Sequence, residues 1–296
     1  MLISNDGSAY VFGDSWFVEG QLRPPRPQYI AIRYTSAGCG SGHVVLLCSD
    51  GNAIGFDTIL EMLEIPALPP GRRYKYVACG ERHTVLIRDE GVAVAFGENG
   101  FRQCVLQDPG YSDGVYYIAA ACGQSLSFLL RSDGQVSVAG LWTGPSMILC
   151  SGGFSAVTAG HHHVVLLRCD GRVEIYDPAI GDYSGALGGL AGIGGEVEME
   201  DLPEGVTITS IEADFHHSLI LRSDGRAIAI GRDTHVPDLP SGMAYVDPRV
   251  FVPWQWRPWV RRWIAFMILL KSQSHLPLVS FLRSNKELFR CIADFL

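Results

Sequence analysis

The sequence has little charge and no apolar run long enough to cross a membrane. Only 18% of its 296 residues are charged, whereas 47% are hydrophobic. A chain of this composition can bury a large core, which excludes an intrinsically disordered protein. The run WIAFMILL at 263–270 has eight residues. A membrane-spanning helix needs roughly 20, so we expect no transmembrane segment.

Catalytic and metal-binding motifs are also missing. The sequence contains no Gly-x-Ser-x-Gly, HExxH or Walker motif, the patterns that place a nucleophile, a metal ligand or a phosphate-binding loop. Its eight cysteines include no CxxC pair, which argues against a zinc site. We therefore predict that the protein is not an enzyme and that it needs no cofactor and no metal.

The first residues, MLISNDGSAYVFG, lack the features of a secretory signal. No basic segment is followed there by an apolar core. We expect an intracellular protein, cytoplasmic or nuclear, whose cysteines are reduced and mostly buried in strands.

What the sequence does contain is a repeat, most easily followed from the glycine of an Asp-Gly turn. This glycine recurs at spacings of 44, 40, 43, 37 and 54 residues, at Gly7, Gly51, Gly91, Gly134, Gly171 and Gly225. Eleven positions earlier stand Gly40, Gly80, Gly123, Gly160 and Asp214, and eight positions earlier stand His43, His83, Leu126, His163 and His217. Apolar runs such as TVLIR and VVLLR lie between the histidine position and the turn, which predicts buried strands joined by tight turns.

A third landmark, Leu-Pro-x-Gly, occurs at 68–71, 202–205 and 239–242. Proline ends the preceding element, and glycine permits the turn into the next strand. A period of roughly 40 to 50 residues with several short strands is typical of a propeller blade.

The combined pattern resembles the repeat of the regulator of chromosome condensation family. It runs Leu-Pro-x-Gly, x-Cys-Gly-x-x-His, x-x-Leu-Leu-Arg-Ser-Asp-Gly and Phe-Gly-x-Asn-x-x-x-Gln, over about residues 1–246. The resemblance implies an all-β protein, a β-propeller of about six to seven four-stranded blades, one of them composite or incomplete. It also implies protein binding, and in the family's founding member guanine nucleotide exchange on the small GTPase Ran.

The chain departs from the family pattern at two positions. The Trp that usually precedes the glycine closing the hairpin is replaced here by Phe, Ala, Tyr or Ile. The Gly-Gln-Leu-Gly tail of the repeat survives only as Arg102-Gln103-Cys104 and as 185–188.

The repeated glycines and histidines are interpreted as structural. Equivalent histidines on different blades are too dispersed to bind one metal ion. The adjacent pairs within His161-His162-His163 and His216-His217 are expected to point to opposite faces of a strand. The structural set comprises Gly40, His43, Gly51, Gly80, His83, Gly91, Gly123, Gly134, Gly160, His163, Gly171, His217 and Gly225.

Charge separates two regions. Residues 1–246 have a net charge of −13, and residues 247–296 have a net charge of +5. An acidic propeller repels nucleic acid, so we expect no direct nucleic-acid binding and favour a basic protein partner. The predicted contact is the acidic cluster at the end of the Gly-rich insertion at 181–201 and just after it, comprising Glu196, Glu198, Glu200, Asp201 and Glu204.

The second region, 247–296, is predicted to be a short α-helical tail. Its apolar residues recur at helical spacing from Trp259, and Ser284 and Glu287 form a capping box. Trp254, Trp256 and Arg257 are candidate partner-binding residues, and interfacial contact with a membrane is an alternative to packing on the propeller. Residues 1–13 and 237–246 are complementary parts of a repeat, which predicts that they close the propeller in one composite blade.

The leading interpretation is a non-enzymatic protein-binding scaffold or adaptor. One alternative is a guanine nucleotide exchange factor for a Ran-like GTPase. Another is a substrate-recognition module linked to a HECT-type ubiquitin ligase, because related repeats occur in such ligases. The sequence does not specify the oligomeric state.

Overall fold

A computed structural model of the chain describes residues 2–3, 9–10, 32–57, 62–141, 153–176, 195–196, 202–214 and 217–231. The predicted tail at 247–296 and the expected closure through 237–246 lie outside these ranges. The strands are β1 (Leu2–Ile3), β2 (Ala9–Tyr10), β3 (Tyr34–Cys39), β4 (His43–Cys48), β5 (Ala53–Asp57), β6 (Tyr74–Cys79), β7 (His83–Arg88), β8 (Ala93–Gly97), β9 (Tyr117–Cys122), β10 (Leu126–Arg131), β11 (Val136–Gly140), β12 (Phe154–Ala159), β13 (Val164–Arg168), β14 (Val173–Tyr176), β15 (Gly195–Glu196), β16 (Ile208–Asp214), β17 (His217–Arg222) and β18 (Ala227–Gly231). A short 3-10 helix spans Tyr111–Asp113. No helix in the described ranges has the length and apolar character needed to cross a membrane.

The strands form successive antiparallel sheets, the blades of a β-propeller. We name them blade A (β3–β5), blade B (β6–β8), blade C (β9–β11), blade D (β12–β15) and blade E (β16–β18). In every blade the first strand pairs with the second, and the second pairs with the third. A further pair, β1 with β2, flanks the Asp6-Gly7 sequence at the N-terminus. The predicted all-β propeller is therefore confirmed.

The fourth strand of each blade is mostly lacking in the described ranges. Only in blade D does a fourth strand pair there, through Glu174 opposite Glu196 and Ile175 opposite Gly195. Blade A has a single bridge between Phe56 and Met62. After β8 the chain turns instead, because Asn99 accepts a hydrogen bond from the Cys104 amide at 2.9 Å and Asp108 accepts one from the Gly110 amide at 2.8 Å. These side chains bind backbone amides that would otherwise be available for pairing in a fourth strand.

The core lies between consecutive blades. Val45 and Leu47 of β4 pack against Tyr74 and Val77 of β6, whereas Leu46 packs inside blade A with Tyr34 and Phe56. Both faces of the second strand are thus buried, which explains why its sequence is a continuous apolar run instead of an alternating one. The same packing continues around the propeller through Val85 with Tyr117, Phe128 with Phe154, and Val165 with Ile211.

Core packing leads to a first prediction. Leu86 and Leu166 are both 0% exposed in the middle of their strands. Truncating either one to Ala should lower the free energy of unfolding by about 2 to 5 kcal/mol, since the apolar contacts are lost and a cavity is left. Urea denaturation measures this effect. Val105→Ala is the control, because Val105 is 55% exposed and its truncation should cost little. Equal losses at Leu86 and Val105 would contradict the assigned burial.

Candidate functional site

The alternating loops of the propeller form two faces. The turn from the first to the second strand contains Gly-x-x-His in blades A, B and D, with Leu126 in place of histidine in blade C and Asp214 in place of glycine in blade E. We call this end the Gly-His face. The turn from the second to the third strand contains Asp-Gly, or Asp-Glu-Gly in blade B, and forms the opposite end, the Asp-Gly face. The turn glycines Gly51, Gly91, Gly134, Gly171 and Gly225 have φ of 91°, 83°, 79°, 87° and 78°. This left-handed backbone favours glycine and fixes the hairpin register.

On the Gly-His face, glycines of neighbouring blades approach one another closely. A Cβ at Gly40 would lie 2.4 Å from the carbonyl oxygen of Gly80, and a Cβ at Gly80 would lie 2.4 Å from that of Gly123. The amide of Glu81 donates to the Gly123 carbonyl at 3.2 Å, and that of Ser41 donates to the Glu81 carbonyl at 3.1 Å. Any side chain at these glycines would push the blades apart and break the bonds between them.

The recurrent histidines bind hydroxyl groups on the next blade. Nε2 of His43 lies 2.8 Å from Oγ1 of Thr84. His83 and Ser127 repeat the contact at 2.9 Å, and His163 and Ser218 repeat it at 2.7 Å. Each hydroxyl directly follows the histidine position of its own blade, so one dipeptide can bond to both neighbouring blades.

The junction between blades C and D shows that the histidine position of one blade and the hydroxyl position of the next are matched in sequence. Blade C has Leu126 in place of histidine, and blade D has Val164 in place of the hydroxyl residue. Donor and acceptor are thus replaced together, and both replacements are buried. This pairing avoids leaving a buried polar group without its partner.

The hydrogen bonds of Ser127 determine which ring nitrogen of His83 carries the hydrogen. The hydroxyl of Ser127 donates its single proton to the carbonyl of Gln103 at 2.8 Å, so it accepts from the Nε2–H of His83. His83 is 1% exposed. Burial, with a smaller contribution from His43, lowers the pKa of His83 to about 4. Burial also lowers the pKa of His43.

The two-residue tips between glycine and histidine form a polar cluster. His161 Nε2 lies 2.9 Å from Glu81 Oε2, and His161 Nδ1 lies 2.8 Å from His162 Nε2. Arg82 lies 3.7 Å from Glu81 and 4.0 Å from Glu98. The expectation that His161 and His162 point to opposite faces is wrong, because they occupy the hairpin turn and not a strand. Within the described ranges, no group of three His, Cys, Asp or Glu side chains is placed to hold a metal ion.

Exposed apolar side chains border this cluster. The loop at 98–105 leaves the Gly-His face after β8 and stays attached to it, because the Glu98 amide donates to the Arg82 carbonyl at 2.9 Å. Phe101 is 47% and Val105 is 55% exposed. The fully buried Gln103 anchors the loop, since its Oε1 accepts from the Phe101 amide at 2.9 Å. The loop therefore presents two apolar side chains from a fixed backbone.

Of the residues predicted as partner contacts, Glu196 and Glu204 lie in the described ranges. The backbone of Glu196 pairs with that of Glu174 at the outer edge of blade D. Glu204 is exposed in the turn before β16. Glu198, Glu200, Asp201, Trp254, Trp256 and Arg257 lie outside the described ranges, so their predicted role stays a prediction.

The repeat pattern did not identify the residues of this face as a binding surface, and His161 was considered only as a metal ligand. Glu81, Arg82 and His161 occupy the variable positions of Gly-x-x-His, and Phe101 and Val105 lie in the altered tail of the repeat. The altered tail was the available signal, because the variable positions have no consensus residue from which to depart.

Arg102 provides the second prediction. Its φ is 65°, and no other non-glycine residue in the described ranges has a positive φ. The family tail has glycine here, which adopts this backbone without the steric cost that a Cβ imposes. Arg102→Gly should raise the free energy of unfolding by about 0.5 to 1 kcal/mol. Arg102→Ala keeps a Cβ and should bring no such gain. Chemical denaturation compares the two, and equal effects would contradict the backbone explanation.

The third prediction concerns pH. Because folding lowers the pKa of His83, the unfolded chain binds a proton between pH 6.5 and 4 that the folded protein does not, so stability falls as the pH decreases through this range. The full loss from His83 should be about 3 kcal/mol. Denaturation at several pH values measures the slope.

The control variant gives the junction between blades B and C the apolar pair that is found at the junction between blades C and D. His83→Leu combined with Ser127→Val reproduces the Leu126 and Val164 pair and should flatten the slope. An unchanged slope in this double variant would show that other groups control the acid response.

Comparisons with known proteins agree with this geometry. No family model matches the chain, and no curated protein matches its sequence significantly. Its fold is similar to that of human WBSCR16, with 14% identity, a TM-score of 0.56, and coverage of 68% of this chain and 62% of that one. Prp20p from Saccharomyces cerevisiae, in a structure reported with its binding to Gsp1p and histones, is 20% identical, with a TM-score of 0.54 and coverage of 68% and 57%.

Yeast RCC1 (Prp20) bound to Kap60 is 18% identical, with a TM-score of 0.53 and coverage of 71% and 59%. This chain spans about three fifths of the length of these structures. Their shared architecture and the repeat pattern lead to one conclusion: the chain has the β-propeller fold of the regulator of chromosome condensation proteins.

Proposed function

We propose that the protein is a non-enzymatic, protein-binding propeller that holds its partner on the Gly-His face, in the cytoplasm or the nucleus. The observation that carries the proposal is the exposure of Phe101 and Val105 beside the polar tips, on a backbone fixed from both sides. Exposed apolar groups surrounded by polar ones are typical of protein interaction sites.

Rigidity of the loop favours binding. The Gln103 carbonyl accepts a hydrogen bond from Ser127, and the Gln103 side chain holds the Phe101 amide. A preformed loop loses little conformational entropy when a partner docks, so more of the contact energy appears as affinity.

The chemistry of the face suggests what it binds. Phe101 and Val105 would fill apolar pockets of the partner, while Glu81 and Glu98 flank Arg82 and favour basic groups at the rim. Rim charges mainly guide association and select partners, whereas the apolar contacts supply affinity. The partner is therefore a protein with an apolar surface bordered by basic residues.

Exchange activity on a Ran-like GTPase is the second candidate, supported by the fold shared with Prp20p. Such activity would require the Gly-His face, or another loop, to deform a bound nucleotide site. Adaptor activity for a HECT-type ubiquitin ligase is a third candidate, and it would require ligase components among the bound proteins.

The fourth prediction tests the proposal with the full chain. Phe101→Ser combined with Val105→Ser should reduce capture of the specific partner by about tenfold, the loss expected for a truncated interface hot spot. Arg226→Ser is the control, because Arg226 is exposed and lies on the opposite face, in the turn between β17 and β18 of blade E. Quantitative mass spectrometry of proteins captured from the source cells compares the three forms.

Three outcomes separate the candidates. Proteins lost only with the Phe101 and Val105 variant support the scaffold, and ligase components among them favour the adaptor. Accelerated release of fluorescent GDP from Ran favours exchange. Identical captured sets for all three forms would contradict a partner site on the Gly-His face.

A further inference from the structure

Two blades show how the outer edge of the third strand is closed. In blade D, Ile175 of β14 pairs with Gly195 of a fourth strand. In blade A, the Gly55 carbonyl of β5 accepts a hydrogen bond from the Leu63 amide at 2.9 Å. In both blades a further segment of the chain therefore satisfies backbone groups that the third strand turns away from the second.

In blade B the corresponding backbone groups stay open. Ala95 of β8 is equivalent to Gly55 and Ile175, because each stands twelve positions after the histidine of its blade. The Arg88 amide bonds to the Val92 carbonyl at 2.9 Å, and bonded pairs alternate along the ladder of β7 and β8. The amide and carbonyl of Ala95 therefore point away from β7, and neither bonds to another backbone group in the described part of the chain.

The backbone at Arg102 explains why blade B lacks a closing segment. In blade A, Met62 bridges to Phe56. Arg102 occupies the same place in the repeat, six positions after Phe96, but its φ is 65°. The chain turns there, and the next residue, Gln103, is buried and accepts a hydrogen bond from blade C. The loop at 98–105 therefore does not close the edge of β8.

An aromatic side chain is left partly uncovered as a result. Phe56 in blade A and Tyr176 in blade D are 4% and 9% exposed. Phe96 is their equivalent, yet none of the five residues of β8 is buried. Val94 and Phe96 belong to the apolar cluster between blades A and B. A strand added to this edge would cover them with apolar side chains at alternate positions.

Both ends of the open edge are limited. At one end the Tyr111 hydroxyl accepts a hydrogen bond from the Ala93 amide at 3.3 Å. At the other end the Glu98 amide bonds to the Arg82 carbonyl at 2.9 Å. The open stretch runs from the Ala93 carbonyl to the Gly97 amide, which suits one short extended segment. Arg82 lies 4.0 Å from Glu98, so charge at this end favours neither an acidic nor a basic ligand.

We propose that the edge of β8 is a binding site that takes an extended segment of a partner protein as the fourth strand of blade B. The backbone of the segment bonds to Ala95, and two apolar side chains, two positions apart, cover Val94 and Phe96. Addition of a strand to an open sheet edge is a general mode of peptide recognition. A second copy of the chain fits less well, because Tyr111 and the loop at 98–105 flank its own β8. The site is separate from the Gly-His face and binds its ligand by backbone pairing.

Random peptides displayed on phage and selected against the full chain are the probe. The enriched peptides should have two apolar residues separated by one position, and a labelled synthetic copy should bind in fluorescence anisotropy. A peptide of the same composition with these two residues adjacent should bind at least about tenfold more weakly, because adjacent side chains on a strand point to opposite faces. No enrichment, or equal binding by the two peptides, would overturn the proposal.

The variant Ala95→Pro tests the edge directly. Proline removes an amide that points outward, so the pairing of β8 with β7 and the melting temperature should be nearly unchanged, while peptide binding weakens at least about tenfold. Tyr111→Phe should bind at least as tightly as the original chain, because it frees the Ala93 amide. Leu141→Ser is the control, since Leu141 is a 44% exposed apolar residue that follows the third strand of blade C. Equal binding by Ala95→Pro, or weaker binding by Tyr111→Phe, would contradict the site.

Hydrogen exchange measured by NMR gives a readout that needs no variant. Adding the peptide should slow exchange of the Ala95 amide at least about tenfold, whereas the Val94 and Phe96 amides already bond to β7 and should change little. An unchanged Ala95 amide would overturn the proposal. Slow exchange at Ala95 without peptide would also overturn it, and would show that the chain itself closes the edge or, if it depended on protein concentration, that a second copy does.

Discussion

The close approach of glycine backbones on the Gly-His face is the constraint on which the propeller depends. A carbonyl of one blade lies where the Cβ of the preceding blade would be, at Gly40 and again at Gly80. This contact sets the separation between blades at one end, and the apolar residues of the second strands fill the space behind it. The histidines can reach a hydroxyl on the next blade only because this separation is small.

The strands and their turns could be predicted because they depend on local sequence. Apolar runs buried on both faces, and a glycine with a left-handed backbone in each Asp-Gly turn, recur at a nearly constant period. The partner of each histidine could not be predicted in this way, because Thr84 is 41 residues from His43 and Ser218 is 55 residues from His163. The only sequence signal was the joint replacement of His by Leu126 and of the hydroxyl residue by Val164.

The candidate site was predicted less well than the fold, for a physical reason. Repeat patterns identify residues that every blade needs, whereas a binding surface is formed by residues that differ between blades. Glu81, His161 and Phe101 all occupy positions where the repeat imposes no single residue. The strained Arg102 belongs to the same group, since a residue with a Cβ replaces the glycine that the backbone favours there.

The junctions between blades differ in whether they contain a buried histidine, so they respond differently to acid. The A–B and B–C junctions each contain a neutral histidine whose pKa is lowered by burial, at His43 and His83. The C–D junction contains an apolar pair in the same place and has no proton to gain there. Mild acid would therefore loosen the propeller unevenly, separating A from B and B from C while C and D stay joined as one block. Because Ser127 links His83 to the loop that bears Phe101, the first part of the surface to lose its shape would be the Gly-His face.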